Sequence, residues 1–475
     1  MNERNKNKVG FGTKLGYSMG VVADTMGYSI FYSYFSVFLT TVVGVNAALA
    51  GVISALGILW DGITDPVVGY LADKKAHRRR KMIQWGSLFY AAAVVLTYVS
   101  VSFGETAQSA YYIICCLAFW LFYTVVCVPF YSAVPELTDD YDERTRIGSF
   151  RATMATFANL ITMASPMLLV SFFGKWTGSA AGGWTMTAGL FGVIIVITAT
   201  ICAQTLKRAE KGGSEEEVPA VKLSFGEAIG DMLKTFASVL KLKQALILFV
   251  AIVVCNIYRG FTSNGFTYFF IYSVGWSGAQ VSFGYAVLVA SWFLYFPLIN
   301  LVCKKWDRKV CLIGGALISG IVRLAVIPIV TTTVGAYISI FSSNFLTCSY
   351  LALIFSLPYD VGELYEYKNN GRRADSTIQS IPLMAQKMGA AVGALIWGIA
   401  LDSTGFDGTA AVQAEGVSSG LVSIYMGWIT LALLAYAFIL GFYKMNKSRT
   451  KKIQEANAAR KAGKEYSEEG FSDVL

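Results

Sequence analysis

The chain has 475 residues, of which 55 % are apolar and 15 % charged, against the roughly 25 % charged residues of a soluble domain. Its 39 Lys and Arg and 30 Asp and Glu give a net charge of +9 and stand in blocks between long apolar runs, so the basic residues belong at a membrane surface and a nucleic-acid-binding protein is excluded. The one histidine, His77, lies in a basic loop, which excludes a histidine-based catalytic triad and a multi-histidine metal site.

The polar, basic stretch from Met1 to Gly10 carries no signal peptide. Six apolar runs follow, at 12–43, 47–72, 82–103, 108–135, 148–173 and 183–207. Each is long enough for a membrane-spanning helix, and the longest require tilt or extension beyond the bilayer. The first contains Asp24 in mid-run, with Tyr28, Tyr32 and Tyr34 after it. A charge inside a span is costly and marks a candidate site. Asp24 is placed to bond a sugar hydroxyl, to pair with a cation or to support Arg151.

The second run holds Leu59-Trp60-Asp61-Gly62-Ile63-Thr64-Asp65-Pro66. Spacing i, i+4 sets the Asp61 and Asp65 carboxylates on one helix face, with Thr64 beside them. Two such carboxylates repel unless they share a proton or a cation, and oxygen ligands suit a hard ion such as Na⁺, Li⁺ or H⁺. A structural pair bonded to arginine or helix ends is the other reading, more so for Asp65, which precedes the loop. The fourth run carries Trp120, Tyr123, Cys127 and Tyr131, and Arg151 lies a little inside the fifth. Most of the aromatics read as packing or interfacial belt.

Residues 208–244 separate the two halves. Glu215-Glu216-Glu217 and Pro219 read as a linker, and Ser224-Phe225-Gly226-Glu227 fits a capping box opening a helix along the cytoplasmic surface. Six more runs follow at 245–275, 278–302, 310–331, 336–358, 374–402 and 420–443, with Arg259 in the seventh span and Lys387 in the eleventh. These cations either balance the aspartates or grip a substrate anion or hydroxyl. A charged tail, 444–475, ends the chain.

The loops alternate. Lys74, Lys75 and Arg78 to Lys81, then Arg144 and Arg146, Lys207 and Arg208, Lys304 to Lys309, Arg372 and Arg373, and the tail form one basic set. The other set has Lys175 as its only basic residue. Both termini are therefore expected in the cytoplasm. The basic loops after spans two and eight occupy matching places, as expected of a duplicated six-helix unit. The eight cysteines show no CxxC spacing and read as free thiols. The fold class is an all-α membrane protein with halves at 1–207 and 245–443.

Several elements together resemble the glycoside–pentoside–hexuronide:cation symporters of the major facilitator superfamily, over nearly all of residues 10–445. They are Lys14-Leu15-Gly16-Tyr17 leading to Asp24, Trp60-Asp61-Gly62-Ile63-Thr64-Asp65-Pro66, Tyr123-Thr124 through Pro129-Phe130-Tyr131-Ser132, and Gly371-Arg372-Arg373. The resemblance implies a cation site at Asp61 and Asp65 with Thr64 and Thr124 nearby. It also implies sugar contacts at Asp24 and Arg151, a pocket aromatic at Tyr131 and a transport lysine at Lys387. Cys127 stands where melibiose-type members have a sugar-binding aspartate, and a thiol is a weak hydrogen-bonding group. Thr64 replaces an asparagine. Arg259 adds a positive charge that favours an anionic sugar such as a glucuronide.

The expected function is cation-coupled uptake of a glycoside or hexuronide, driven by Na⁺ or H⁺ with no other cofactor. The expected setting is a bacterial plasma membrane, with lipid as the surroundings and a monomer as the working unit. A carrier of an amphiphile, such as a lysolipid or steroid conjugate, is the competing reading; a sugar sensor lacks a signalling domain. No nucleophile–base pair or Walker-type glycine loop is present, so neither an enzyme nor an ATP-driven pump is expected.

Overall fold

The structure, a computed structural model, describes residues 9–73, 76–134, 137–138, 140–210, 230, 234, 236–371, 375–410, 412–466 and 468–474. Lys74, Lys75, Arg372, Arg373, the linker glutamates and the capping box lie outside the described residues, whereas residues 236–240 are helical. Every expected span is helical. In the first half they are α1 (Phe11–Phe38), α2 (Ala47–Asp73), α3 (Ala76–Thr97), α4 (Glu105–Ser132), α5 (Tyr141–Ala164), α6 (Pro166–Thr177) and α7 (Ala180–Glu210). There follow α8 (Lys243–Tyr272), α9 (Gly278–Lys305), α10 (Arg308–Val326), α11 (Thr333–Leu353), α12 (Leu357–Lys368) and α13 (Asp375–Ser403). The last span is α14 (Val417–Val422), a π-helical turn and α15 (Ile429–Gly441), before the tail helix α16 (Lys447–Lys461).

Ten helical stretches among the described residues are long and apolar enough to cross a membrane alone. The fifth span is the pair α5 and α6, bent by 45° where Ser165 meets Pro166, because proline cannot donate to the preceding turn. The third span is α3, which opens on basic residues and ends at Thr97 rather than 103. Tertiary bonds replace the missing turn: Thr185 donates to the Tyr98 carbonyl at 2.9 Å, and the Tyr98 hydroxyl donates to the Ile30 carbonyl at 2.8 Å.

The chain forms two compact units whose limits differ from the expected halves. The first comprises residues 1–222, 263–289 and 394–418. In it α1 packs on α5 and α7, while α4 packs on α2 and α3. Buried phenols tie α1 to its neighbours: the Tyr17 hydroxyl donates to the Phe130 carbonyl at 2.8 Å, and that of Tyr34 to the Met163 carbonyl at 2.5 Å. The parts of α8 and α13 within this unit are bonded just as closely. The Tyr268 hydroxyl lies 2.7 Å from Thr40 Oγ1, and Asn46 Nδ2 donates to Asp402 Oδ1 at 2.5 Å. Where α2 crosses α13 the backbones touch: a Cβ on Gly398 would fall 2.6 Å from the Ala47 carbonyl oxygen and 2.8 Å from Gly51 Cα.

The second unit comprises residues 223–262, 290–393 and 419–475. Its core is α10 packed on α11 and α15. The tail is not loose there. Arg460 stacks over the Tyr367 ring at 4.5 Å, the Tyr367 hydroxyl donates to Glu468 Oε1 at 2.5 Å, and Phe471 is buried. Lys461 closes on Glu366 at 2.6 Å. These contacts hold α16 along α12, and the charged composition of the tail is that of a helix with one docked face.

Candidate functional site

Two carboxylate clusters lie side by side in the first unit, and α4 serves both. In α2, Asp61 is 3 % exposed, a costly position for a charge without strong partners. Thr124 Oγ1 donates to Asp61 Oδ1 at 2.6 Å, within the range of a charge-assisted bond. Thr64 Oγ1 lies 3.3 Å from Thr124 Oγ1 and donates to the Asp61 carbonyl at 3.2 Å. Three of the four expected cation-site residues, Asp61, Thr64 and Thr124, are thus gathered. Asp65, one turn on and half-buried, shares their helix face by its spacing. The set offers one buried carboxylate and two hydroxyl oxygens, the donors a small hard cation takes.

The second cluster centres on Asp24, 8 % exposed in α1. Each carboxylate oxygen accepts one phenol: Tyr123 donates to Oδ1 at 2.6 Å and Tyr131 to Oδ2 at 2.5 Å. The Cys127 thiol lies toward the same carboxylate. Arg151 does not pair with Asp24 directly. Its guanidinium lies 4.8 Å from the centre of the Tyr131 ring, a cation–π contact that holds the ring from the other side. Of the sequence readings for Asp24, the structure displays support of Arg151 only through Tyr131. Tyr131 is 43 % exposed, so the cluster opens outward at this ring.

Thr124, Cys127 and Tyr131 stand at i, i+3 and i+7, one stripe of α4. That stripe places the Asp61 cluster one turn from the Asp24 cluster. The same spacing was present in the sequence, but Tyr123 read there as one aromatic among many.

Arg259 and Lys387 belong to the second unit. Arg259, half-buried in α8, donates to Asn256 Oδ1 at 3.1 Å and lies 5.2 Å from the Tyr350 ring centre. Asn256 Nδ2 donates to the Tyr350 hydroxyl at 2.7 Å. Among the described residues no carboxylate pairs with Arg259. Lys387 is half-buried on α13, next to Gln386, which approaches the Tyr350 hydroxyl. Sequence reading missed Arg323. It is fully buried in α10, bonds Ser343 Oγ at 2.5 Å and the Tyr425 carbonyl, and lies over the Tyr425 ring. The test that flagged Arg259, a lone charge in an apolar run, would have found it. Its partners are neutral groups of α11 and of the π-helical turn, which suits a structural clamp.

Membrane-spanning helices with buried carboxylate clusters in the first unit are the setting of a membrane transporter. The family profile described as MFS/sugar transport protein matches residues 16–447, and the chain belongs to that family. It is 23 % identical over 475 residues to the isoprimeverose transporter of Lactiplantibacillus pentosus, covering 95 % of this chain and 92 % of that one. It is 24 % identical over 460 residues to a candidate glycoside/cation symporter of Escherichia coli (strain K12), covering 93 % of each. Among solved structures, a D-xylose–proton symporter superposes with a TM-score of 0.65 at 13 % identity, covering 90 % of this chain and 97 % of that one. The last comparison shows the fold alone, and it is the twelve-helix fold of the major facilitator superfamily.

Proposed function

We propose that the protein is a symporter that couples a Na⁺ or H⁺ gradient to uptake of a glycoside or hexuronide by alternating access. It would work as a monomer in the plasma membrane with both termini in the cytoplasm. One observation carries the reading: the adjacent residues Tyr123 and Thr124 of α4 donate hydrogen bonds to Asp24 and Asp61 respectively. A cation on Asp61, Asp65, Thr64 and Thr124 would fix that turn of α4. The adjacent sugar site, Asp24 with Tyr131, Arg151 and Cys127, would then cost less to order. Linkage makes the effect reciprocal: sugar raises cation affinity by the same factor. The names of the relatives, a sugar transporter and a glycoside/cation symporter, agree with this reading.

Arg259 favours an anionic sugar, because its guanidinium has neutral partners and a carboxylate would meet it bidentately. Lys387, a transport residue by family resemblance, is assigned to the same substrate.

The test is uptake of radiolabelled p-nitrophenyl glycosides into right-side-out vesicles under a Na⁺ gradient, a proton gradient or neither. Wild type accumulates one glycoside under one gradient, and Asp61→Asn loses accumulation. Arg259→Gln loses the β-glucuronide more than the β-xyloside. Full accumulation by Asp61→Asn would remove Asp61 from coupling.

A further inference from the structure

The turn between α9 and α10 brings two thiols together. Cys303, in the last turn of α9, and Cys311, in the first turn of α10, stand with their sulfurs 3.2 Å apart. Among the eight cysteines Cys303 is the one that is not buried, whereas Cys311 is 7 % exposed. The turn is also a junction. Asp307 Oδ1 caps α10 by accepting from the Lys309 amide at 3.0 Å, and its Oδ2 accepts from the amide of Lys447, the first residue of the tail helix α16, at 2.9 Å. Arg308 donates to both carboxylate oxygens of Asp360 in α12, at 2.9 and 2.8 Å, and Lys309 Nζ donates to the Gly441 carbonyl at the end of α15 at 2.8 Å. All of these residues belong to the second unit.

Buried thiols in the spans serve as small apolar fillers, and their burial keeps them inert. This pair departs from that role, since one sulfur is reachable and the other is its direct neighbour. A disulfide holds its sulfurs about 2.05 Å apart, roughly 1 Å closer than the two stand here. Rotation about the side-chain bonds supplies a movement of that size.

We infer that Cys303 and Cys311 are a redox-active pair, which a hydroperoxide converts to a disulfide that staples the α9–α10 turn. The half-buried Cys303, as its thiolate, attacks the O–O bond of hydrogen peroxide. A sulfenic acid forms on Cys303, and the hydroxide released takes up a proton to leave as water. The Cys311 sulfur then attacks the Cys303 sulfur. The S–S bond forms, the S–O bond breaks, and the second hydroxide leaves as water with the Cys311 proton. Two thiols and one peroxide thus give one disulfide and two waters, the sulfurs losing the two electrons that the peroxide gains. In the orientation proposed above the turn faces the cytoplasm, where thiols are held reduced. The staple therefore forms under oxidative load, and a thiol reductant reopens it. Once formed, it fixes Asp307 and with it the seat of α16. The pairing of the thiols is independent of the transport reading.

The experiment treats the full-length protein in nanodiscs with hydrogen peroxide, blocks the remaining thiols with N-ethylmaleimide in denaturant, and digests with trypsin for mass spectrometry. Cleavage after Lys304, Lys305, Arg308 and Lys309 separates the two cysteines, so the disulfide appears as two joined peptides that dithiothreitol parts. Wild type yields the joined peptides and Cys303→Ser does not. In Cys311→Ser the reaction halts at the sulfenic acid, which dimedone captures on Cys303. The oxidised wild type melts a few degrees above the reduced protein, and the first turn of α16 exchanges its amide hydrogens more slowly. Both changes are absent from Cys303→Ser. Peroxide that leaves both thiols open to N-ethylmaleimide, or carries Cys303 to a sulfinic acid without joining the peptides, overturns the inference. So does a disulfide that forms without raising the melting temperature or slowing exchange in α16, because the turn is then not stapled.

Discussion

The crossing of α2 and α13 in the first unit gives a prediction whose size follows from the coordinates. A methyl group on Gly398 would lie 2.6 Å from the Ala47 carbonyl oxygen, 2.8 Å from Gly51 Cα and 3.0 Å from Gly51 N. All three are backbone atoms and cannot swing aside. Carbon contacts settle at about 3.5 Å or more, so the helices must part by roughly 0.7 Å. Overpacking of this kind costs about 1–3 kcal/mol. Gly51→Ala is milder, since its nearest contacts are 2.9 Å from the Ala394 carbonyl oxygen and 3.0 Å from Gly398 Cα. Gly189 is the control: it lies in α7 with nothing within 4 Å of an added Cβ, and alanine there removes about 1 kcal/mol of helix penalty. The expected order of melting temperature in detergent is Gly189→Ala at or above wild type, then Gly51→Ala, then Gly398→Ala lowest. Gly398→Ala melting with wild type, or above Gly51→Ala, would refute the close crossing.

Two further predictions concern charge. Replacing Thr124 by valine removes a hydrogen bond to a carboxylate, worth about 1.5–3 kcal/mol, so the half-saturating cation concentration in vesicle uptake shifts by about tenfold or more, while Thr124→Ser stays near wild type. The sign identifies the ion: Na⁺ loses an oxygen ligand and binds more weakly, whereas a proton binds more tightly because Asp61 loses a bond that favours its ionised form. An unchanged half-saturation removes Thr124 from the site. In the first turn of α5, ahead of its apolar stretch, Glu143 accepts from Lys14 at 2.7 Å and pairs with Arg146 at 2.7 Å. The Lys14 bond, then that of Arg146, hold its carboxyl below the ordinary range. Its contribution is therefore present above about pH 4.3, the unfolded value, and is lost as pH falls toward the lower folded value. Wild type should lose melting temperature between about pH 5 and pH 3 more steeply than Glu143→Gln, and parallel curves would exclude the pair from stability.

The helices were legible because hydrocarbon thickness sets a length that composition must fill, so every expected span from Phe11 to Gly441 is helical. Their ends and bends were less so. Helix α3 stops at Thr97 with no proline or glycine to announce it; the Tyr98 carbonyl that follows is bonded by a threonine eighty-seven positions away. The Asp61 and Thr64 pairing was visible as a spacing within one helix, and Thr124 only through family resemblance, since its bond to Asp61 crosses between helices. The bond of Tyr123 to Asp24 was not legible, for a physical reason. A tyrosine in an apolar run looks the same whether its hydroxyl faces lipid headgroups, a carbonyl or a buried carboxylate. Arg323 was legible and overlooked, a lone cation amid Ile321, Val322 and Leu324.

The two phenols on Asp24 bear on selectivity. Tyr123 and Tyr131 hold both carboxylate oxygens, so in the proposed sugar site they would stand in for a sugar's adjacent hydroxyls. A ligand entering as proposed must evict them, and only a molecule with two suitably spaced donors can return to Asp24 what it loses. One hydroxyl, or a water, replaces half and leaves a buried oxygen short. On the proposed reading, the empty carrier would be guarded against small polar molecules without a door, by an internal competitor that only a diol outbids.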